Sequence, residues 1–153
     1  MSTCKIDILF IIEASYYTSS IYSALVSAIG DMAGILKISS SDIQVGVISY
    51  DNSVDENIKF NAYSSASSLD TAISSLTIPS ASSSMNFREA LRYAFNDYFK
   101  LSNGNRFDAY RYYVVFAKTY SSNDGDELGE VIRRNTKNQL FAIGNIFLKC
   151  LVD

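Results

Sequence analysis

The sequence predicts an α/β fold: a doubly wound, mostly parallel six-stranded sheet with one antiparallel edge strand and helices on both faces. Short apolar runs, too continuous for a strand with one wet face, indicate central strands that are covered on both sides. They alternate along the chain with segments whose apolar residues recur at helical spacing. With 153 residues, of which 48% are hydrophobic, the chain is expected to form a single domain over residues 1–153.

The first strand is predicted from the apolar run between Ile8 and Ile12, which follows the single acidic residue Asp7. Because polar residues do not alternate with the apolar ones, this strand is expected at the centre of the sheet. Glu13 and Ser15 come directly after it, where the chain turns toward a helix. Open α/β sheets place their ligand sites at such strand ends, so these two residues are the first candidates for a binding site.

A helix and two strands are predicted next. Thr18 to Ser20 offer hydroxyl groups that can cap a strongly apolar helix. Its residues at helical spacing are Ile21, Tyr22, Leu25, Val26, Ile29, Met32 and Ala33, and all are expected to pack on the sheet. Ile43–Tyr50 is rich in β-branched residues and predicts a strand parallel to the first. After a polar turn at 51–55, Ile58 and Phe60 alternate with polar neighbours and predict the antiparallel edge strand.

The second half of the chain continues this alternation. Leu69, Ile73 and Leu76 predict a short helix inside the serine-rich stretch 64–84. Asn86 and Glu89 suit a capping box before an amphipathic helix that carries Phe87, Ala90, Leu91, Ala94, Phe95, Tyr98 and Phe99. A strand is predicted at 110–116, then a helix capped by Asp124 or Asp126, then a last strand at 140–143.

Only nine residues follow Gly144, which is fewer than a helix of average length contains. No C-terminal helix of average length is therefore expected here. The apolar residues of this segment are expected to extend a strand, fold back or meet a partner; they are Ile146, Phe147, Leu148, Leu151 and Val152.

Composition excludes several function classes. A net charge of −3 gives no broad basic surface for nucleic acid, and no apolar run has the roughly 20 residues that span a bilayer. The chain contains no histidine, which excludes a Ser–His or Cys–His hydrolase. Its glycines do not follow a strand at nucleotide-binding spacing, so no cofactor is expected.

The two cysteines, Cys4 and Cys150, lie just outside the first and last predicted strands. This placement fits a disulfide that joins the chain ends, and it equally fits two unrelated thiols. A bridge across so long a loop would contribute at most about 4–5 kcal/mol.

Five phrases in the order and spacing of a known family resemble a von Willebrand factor type A domain. They are IDILFIIEAS, IQVGVISYDNSV, FREALRYAF, YRYYVVFAKTYS and NQLFAIGNI, and together they span most of the chain. Within the family the pattern resembles the divergent secreted A domains that accompany C-type lectin domains in nematodes. The resemblance implies the fold predicted above and an extracellular, non-catalytic adhesion module.

The family's metal-ion-dependent adhesion site holds Mg²⁺ with oxygen ligands from three loops, and the resemblance implies that this site is degenerate here. The Asp-x-Ser-x-Ser pattern of the first loop is matched by Glu13, Ser15 and Tyr17. The threonine of the second loop is matched by Met85, beside Ser84, and the aspartate of the third by Lys118. A thioether is a poor ligand for Mg²⁺ and an ammonium cannot coordinate it, so no metal is expected.

The same alignment leads to two expectations about this edge of the sheet. Glu13 and Lys118 are expected to form an ion pair where the metal would sit, and Tyr16 and Tyr17 are expected at the binding face. The preferred function is binding to another protein or a glycan without metal. A structural domain that packs on its neighbours is the alternative, and an enzyme using Glu13 and Lys118 as an acid–base pair has little support.

Overall fold

The computed structural model describes residues 4–78, 82–118 and the strand 139–144, and over these residues the chain forms five strands and three α-helices. In chain order they are β1 Ile6–Glu13, α1 Tyr22–Gly34, β2 Ile43–Tyr50, β3 Val54–Ile58, α2 Ala66–Ser74, α3 Phe87–Asn96, β4 Tyr110–Ala117 and β5 Gln139–Gly144. The strand order is β3-β2-β1-β4-β5, with β3 antiparallel to β2 and all other neighbours parallel. The predicted α/β architecture is confirmed. The described sheet contains five of the six strands predicted. The predicted helix after Asp124 and the C-terminal segment fall outside the described residues.

The central position of β1 follows from its sequence, because its side chains are buried on both faces. Leu9 and Ile11 pack toward α3 and join a cluster with Tyr113 and Val115 of β4. Phe10 and Ile12 face the other way, into a cluster with α1 and α2. A strand without an exposed face needs the continuous apolar run that the sequence shows.

The first helix begins later than predicted, and it buries only part of the predicted set of residues. Ser15 caps a short 3₁₀ turn at Tyr16–Thr18, and α1 starts only at Tyr22, where no side chain caps it. Ile21 and Met32, expected on the sheet, are 47% and 40% exposed. Tyr22, Val26, Ile29 and Ala33, four of the seven residues predicted on the sheet, are buried there.

The edge strand also begins and ends earlier than predicted, because the turn before it is shorter. The Asp51 carboxylate accepts a hydrogen bond from the Ser53 backbone N–H at 2.9 Å, so the turn is complete by residue 53. Phe60, predicted within the strand, lies beyond it and is buried at 1% exposure. Its ring packs against those of Tyr98 and Phe99, with centroids 5.2 and 5.0 Å away.

Side chains cap the two remaining helices, and the cap of α3 is the one that the sequence predicts. Ser65 accepts a hydrogen bond from the Ser68 N–H at the start of α2, and Asn86 accepts one from the Glu89 N–H at the start of α3. The predicted capping box would turn the Glu89 carboxylate back toward Asn86. In the structure this carboxylate pairs with Arg92 instead, at 2.6 Å.

A buried ion pair joins three segments at the amino edge of the sheet, the edge at which the parallel strands begin. The Arg106 guanidinium donates to Asp7 Oδ1 from Nη2 at 2.6 Å and from Nε at 2.9 Å. It also donates to the backbone carbonyls of Ile6, Ser40 and Asp42. Burial of Asp7 raises the pKa of its carboxyl, and Arg106 opposes this effect by favouring the charged form.

The strand register limits how Cys4 and Cys150 could meet. Gly144 pairs with Ala117, which places it level with the end of β1, whereas Cys4 precedes the start of β1 and is exposed. The eight residues of β1 span roughly 26 Å. Six residues from Gly144 to Cys150 reach roughly 20 Å when fully extended and only about 9 Å as a helix. Even with about 6 Å between the Cα atoms of a disulfide, this reach falls short of the distance to Cys4. A bridge therefore requires a fully extended segment after β5 and a shift of Cys4 toward β5.

Cys150 lies outside the described residues, so the disulfide stays a prediction. Mass spectrometry of alkylated, unreduced protein should yield a Cys4–Cys150 cross-linked peptide, and reduction should lower the melting temperature. Two fully alkylated thiols in protein from an oxidising compartment would contradict the pairing.

Candidate functional site at the carboxyl edge of the sheet

The strand order reverses direction between β1 and β4, so the connections that follow these strands diverge and leave a crevice at their carboxyl ends. Four chain segments meet there: the loop after β1, the turn after β2, the loop 82–86 and the end of β4. Backbone hydrogen bonds join the first three. The Ala14 N–H donates to the Tyr50 carbonyl at 2.8 Å, Tyr16 to Ser82 at 2.9 Å, and Asn86 to Asp51 at 2.6 Å.

The loop after β1 is held by a closed set of hydrogen bonds around two fully buried residues, Glu13 and Ser15. The Ser15 hydroxyl donates to Glu13 Oε1 at 2.5 Å and accepts from the Tyr17 N–H at 3.2 Å. The Thr18 hydroxyl donates to the Glu13 carbonyl at 2.9 Å and accepts from the Ser15 N–H at 3.1 Å. Thr18 was predicted to cap α1, but it forms a capping box with Ser15 at the 3₁₀ turn. Its position three residues after Ser15 is the spacing of a capping box and could have indicated this role.

Lys118 meets Glu13 as predicted, but through a different contact. Its backbone N–H donates to Glu13 Oε2 at 2.7 Å, while its ammonium donates to the Tyr17 carbonyl at 2.8 Å. The predicted ion pair is thus replaced by two hydrogen bonds that fix the end of β4 to the loop after β1. The Glu13 carboxylate accepts from both segments and forms the link between them.

The predicted binding-face residues lie on the outside of this hydrogen-bonded framework. Tyr16 and Tyr17 are 64% and 41% exposed, with their rings edge-to-face at a centroid distance of 5.9 Å. Ser84 and Lys118 are exposed, and Met85 is half-buried on the loop 82–86. The loop that carries Ser84 and Met85 is placed beside Tyr16 by the Tyr16–Ser82 hydrogen bond. An aromatic pair with a cationic neighbour, Lys118, therefore occupies this edge.

The residues present do not fit an octahedral Mg²⁺ site. Both carboxylate oxygens of Glu13 accept hydrogen bonds from protein donors, and the Ser15 hydroxyl is engaged on both sides. Mg²⁺ needs oxygen ligands close to ideal octahedral geometry, and Met85 and Lys118 supply none from their side chains. Over the described part of the chain, no group of three or more Asp, Glu, Cys or His side chains is placed to hold a metal.

The geometry also gives no support to acid–base chemistry by Glu13 and Lys118. Glu13 has no exposed surface, so a substrate proton would not reach its carboxylate without opening the loop. Lys118 already donates from its ammonium to a backbone carbonyl. What the arrangement provides is a rigid frame that presents the two tyrosine rings.

Comparison with known proteins agrees with this architecture. The sequence model of the von Willebrand factor type A domain matches residues 7–147. No curated protein sequence matches the chain. Similar solved structures include three of proximal thread matrix protein 1 from the mussel byssus, one of them with a zinc-occupied adhesion-site motif.

These three structures are alike in fold and distant in sequence. Their TM-scores are 0.76, 0.76 and 0.77, at identities of 12%, 12% and 11%. The matches cover 94%, 93% and 94% of this chain and 38% of the mussel protein in each case. The chain thus spans well under half of that protein's length.

Of the described helices, none is both long and apolar enough to cross a bilayer.

Proposed function

The chain belongs to the von Willebrand factor type A domain family, and we propose that it is a non-catalytic module that binds another protein or a glycan without a metal ion. The binding surface consists of Tyr16, Tyr17, Ser84, Met85 and Lys118, and Glu13 and Ser15 support it from beneath. The observation that carries the proposal is the exposed, edge-to-face tyrosine pair at the point where the strand order reverses.

Tyrosines suit this role because they bring a large contact area at a low cost in side-chain entropy. The backbone beneath both rings is fixed, since Tyr16 N–H, Tyr17 N–H and the Tyr17 carbonyl all take part in hydrogen bonds. Little order must then be gained on binding, and a preorganised surface binds more tightly for the same contacts.

Metal independence is supported by the hydrogen bonds that already occupy the side-chain oxygens of Glu13 and Ser15. A divalent ion would have to displace the Lys118 N–H or the Ser15 hydroxyl from Glu13, and either loss would leave a buried polar group without its partner. The site of action is proposed to be outside the cell, as the likeness to a thread matrix protein of the mussel byssus favours.

A structural or assembly domain is the second candidate, and one observation favours it. Leu101, Phe107 and Tyr110 are 71%, 79% and 62% exposed, and they lie before or at the start of β4, away from the tyrosine pair. Apolar side chains at that position would suit packing against a neighbouring domain.

The two candidates are separated by a pair of matched variants. Labelled protein should be tested on a glycan array and on a panel of purified extracellular matrix proteins, with Mg²⁺ and with EDTA. Tyr16→Ala/Tyr17→Ala should lower affinity for any ligand found by about 10-fold or more, as loss of an aromatic anchor does. Tyr110→Ala removes an equally exposed ring, 62% against 64% for Tyr16, and should leave affinity unchanged.

The opposite result would favour the structural or assembly domain: Tyr110→Ala would lose binding, and the Tyr16→Ala/Tyr17→Ala variant would keep it. Binding that EDTA abolishes would contradict metal independence. Because all three side chains are exposed, the melting temperatures of both variants should stay close to that of the wild type.

A further inference from the structure

Helix α1 carries a second apolar stripe, which faces away from the sheet. We call it the outer stripe; its members are Ile21, Ala24, Ala28, Met32 and Ile35, and all five are exposed. The two isoleucines flank the helix, and Ile35 is 86% exposed. The spacing of three and four residues is that of a helix-packing seam.

Neither the sheet nor α2 covers this stripe. The sheet takes the face with Tyr22, Val26, Ile29 and Ala33. Helix α2 takes a different flank: a Cβ added to Gly30 would lie 2.4 Å from Ser74 Oγ and 2.6 Å from Asp70 Oδ1. At 100° per residue, Gly30 and the centre of the outer stripe lie on nearly opposite sides of the helix.

The outer stripe is symmetric about Ala28. The intervals from Ile21 to Ile35 are three, four, four and three residues, so a second copy running antiparallel meets the same pattern. Ala28 would face Ala28 of the second copy, and each small Ala24 would face a large Met32. Ile21 would face Ile35 at both ends. This alternation of small and large side chains is what close helix packing requires.

Charge favours a second copy over a partner with an ordinary charged surface. Between Ala14 and Leu36 the only charged residue is Asp31, and the exposed neighbours of the stripe include Ser20, Ser23 and Ser27. A charged partner would lose hydration without gaining a counter-charge. In the antiparallel pairing Asp31 lies opposite Leu25, so the two copies bring no like charges together.

We propose that the outer stripe mediates self-association, with α1 helices of two copies packed antiparallel about a two-fold axis at Ala28. Two-fold pairing through one self-complementary surface is the commonest form of self-association. The 13 residues of α1 span about 20 Å. A single helix pair of this length buries only a few hundred Å² per copy, below the roughly 800 Å² of a standard interface. The dimer is therefore weak, with a dissociation constant of roughly 10 µM to 1 mM.

Analytical ultracentrifugation over that concentration range tests the association. The apparent mass of the wild type should rise toward twice that of the monomer. Ala28→Arg should abolish the rise, because it places two cations together on the axis. Ser27→Arg adds the same charge one residue away, outside the stripe, and should leave the rise intact. A monomer throughout, or equal effects of both variants, would overturn the proposal.

Cysteine cross-linking tests the antiparallel register in a Cys4→Ser/Cys150→Ser background. Ala28→Cys alone should give a disulfide-linked dimer under mild oxidation. Ala24→Cys should give one only when mixed with Met32→Cys. Cross-linking of Ala24→Cys with itself would indicate parallel helices, and equal cross-linking of Ser27→Cys would indicate random collision. Either result would overturn the proposed pairing.

Discussion

Arg106→Ala should lower the free energy of unfolding by about 3–5 kcal/mol, the range for removing one partner of a buried ion pair. The substitution strands the Asp7 carboxylate, which is fully buried, and removes the donor to the carbonyls of Ile6, Ser40 and Asp42. Urea unfolding measures the change. Arg92→Ala is the matched control: Arg92 also forms ion pairs, with Glu89 and Asp97, but its side chain is 50% exposed and screened by solvent, so the loss should be only a small fraction of that for Arg106→Ala.

The pH dependence of this loss gives a second readout. Burial raises the pKa of Asp7 in the folded state, so the folded state favours the protonated carboxyl. The stability that this protonation contributes is fully present below the pKa of Asp7 in the unfolded chain, and it is lost as the pH rises through the pKa of Asp7 in the folded protein. Without Arg106 that pKa should rise further. The deficit of Arg106→Ala should then be largest near neutral pH and smaller in acid, and adding Asp7→Asn should recover part of it. A deficit equal at all pH values would show that the carboxylate charge is not its cause.

The ion pair also shows what the sequence could not supply. Asp7 and Arg106 lie 99 positions apart, and no local pattern connects a charged residue at the start of a strand with one in a later loop. The strands β1, β2 and β4 and the helix α3 were predictable because each depends on local periodicity and capping. The parallel pairing of β1 with β2 followed from the adjacency rule for a strand–helix–strand unit.

Helix α1 shows why a correctly predicted helix can be assigned too wide a buried face. Its inner set, from Tyr22 to Ala33, and its outer stripe, from Ile21 to Ile35, both have helical spacing. Periodicity identifies the helix but cannot choose between two apolar faces, so Ile21 and Met32 were assigned to the sheet. Only the packing of α2 and the sheet on the other sides of the helix decides the choice.

At the candidate site, the family resemblance was enough to bring the residues together but not to predict their contacts. It placed Glu13 and Lys118 at one point, and in the structure they follow adjacent strands. Their actual contact uses the backbone N–H of Lys118, whose direction depends on how β4 ends. The identities of the side chains give no information about the direction of a backbone N–H. The opposite charges of Glu13 and Lys118 therefore predicted an ion pair between their side chains.

Glu13→Ala should lower the free energy of unfolding by about 2–4 kcal/mol, because it leaves two donors, the buried Ser15 hydroxyl and the partly buried Lys118 N–H, without their acceptor. For a domain of this size that corresponds to roughly 5–15 °C in melting temperature. Asp31→Ala removes an exposed carboxylate and should change stability by no more than about 0.5 kcal/mol.

Two further substitutions at Glu13 separate hydrogen bonding from metal binding. Glu13→Gln keeps one acceptor oxygen for Lys118 and should fall between wild type and Glu13→Ala. Glu13→Asp restores the aspartate of the adhesion-site pattern, yet it is one methylene shorter and cannot reach both donors, so it should destabilise as well. Neither wild type nor Glu13→Asp should gain stability from millimolar Mg²⁺, because Met85 and Lys118 still supply no side-chain oxygen. A rise in melting temperature with Mg²⁺ that Glu13→Ala abolishes would contradict this account and make the edge a metal-dependent binding site.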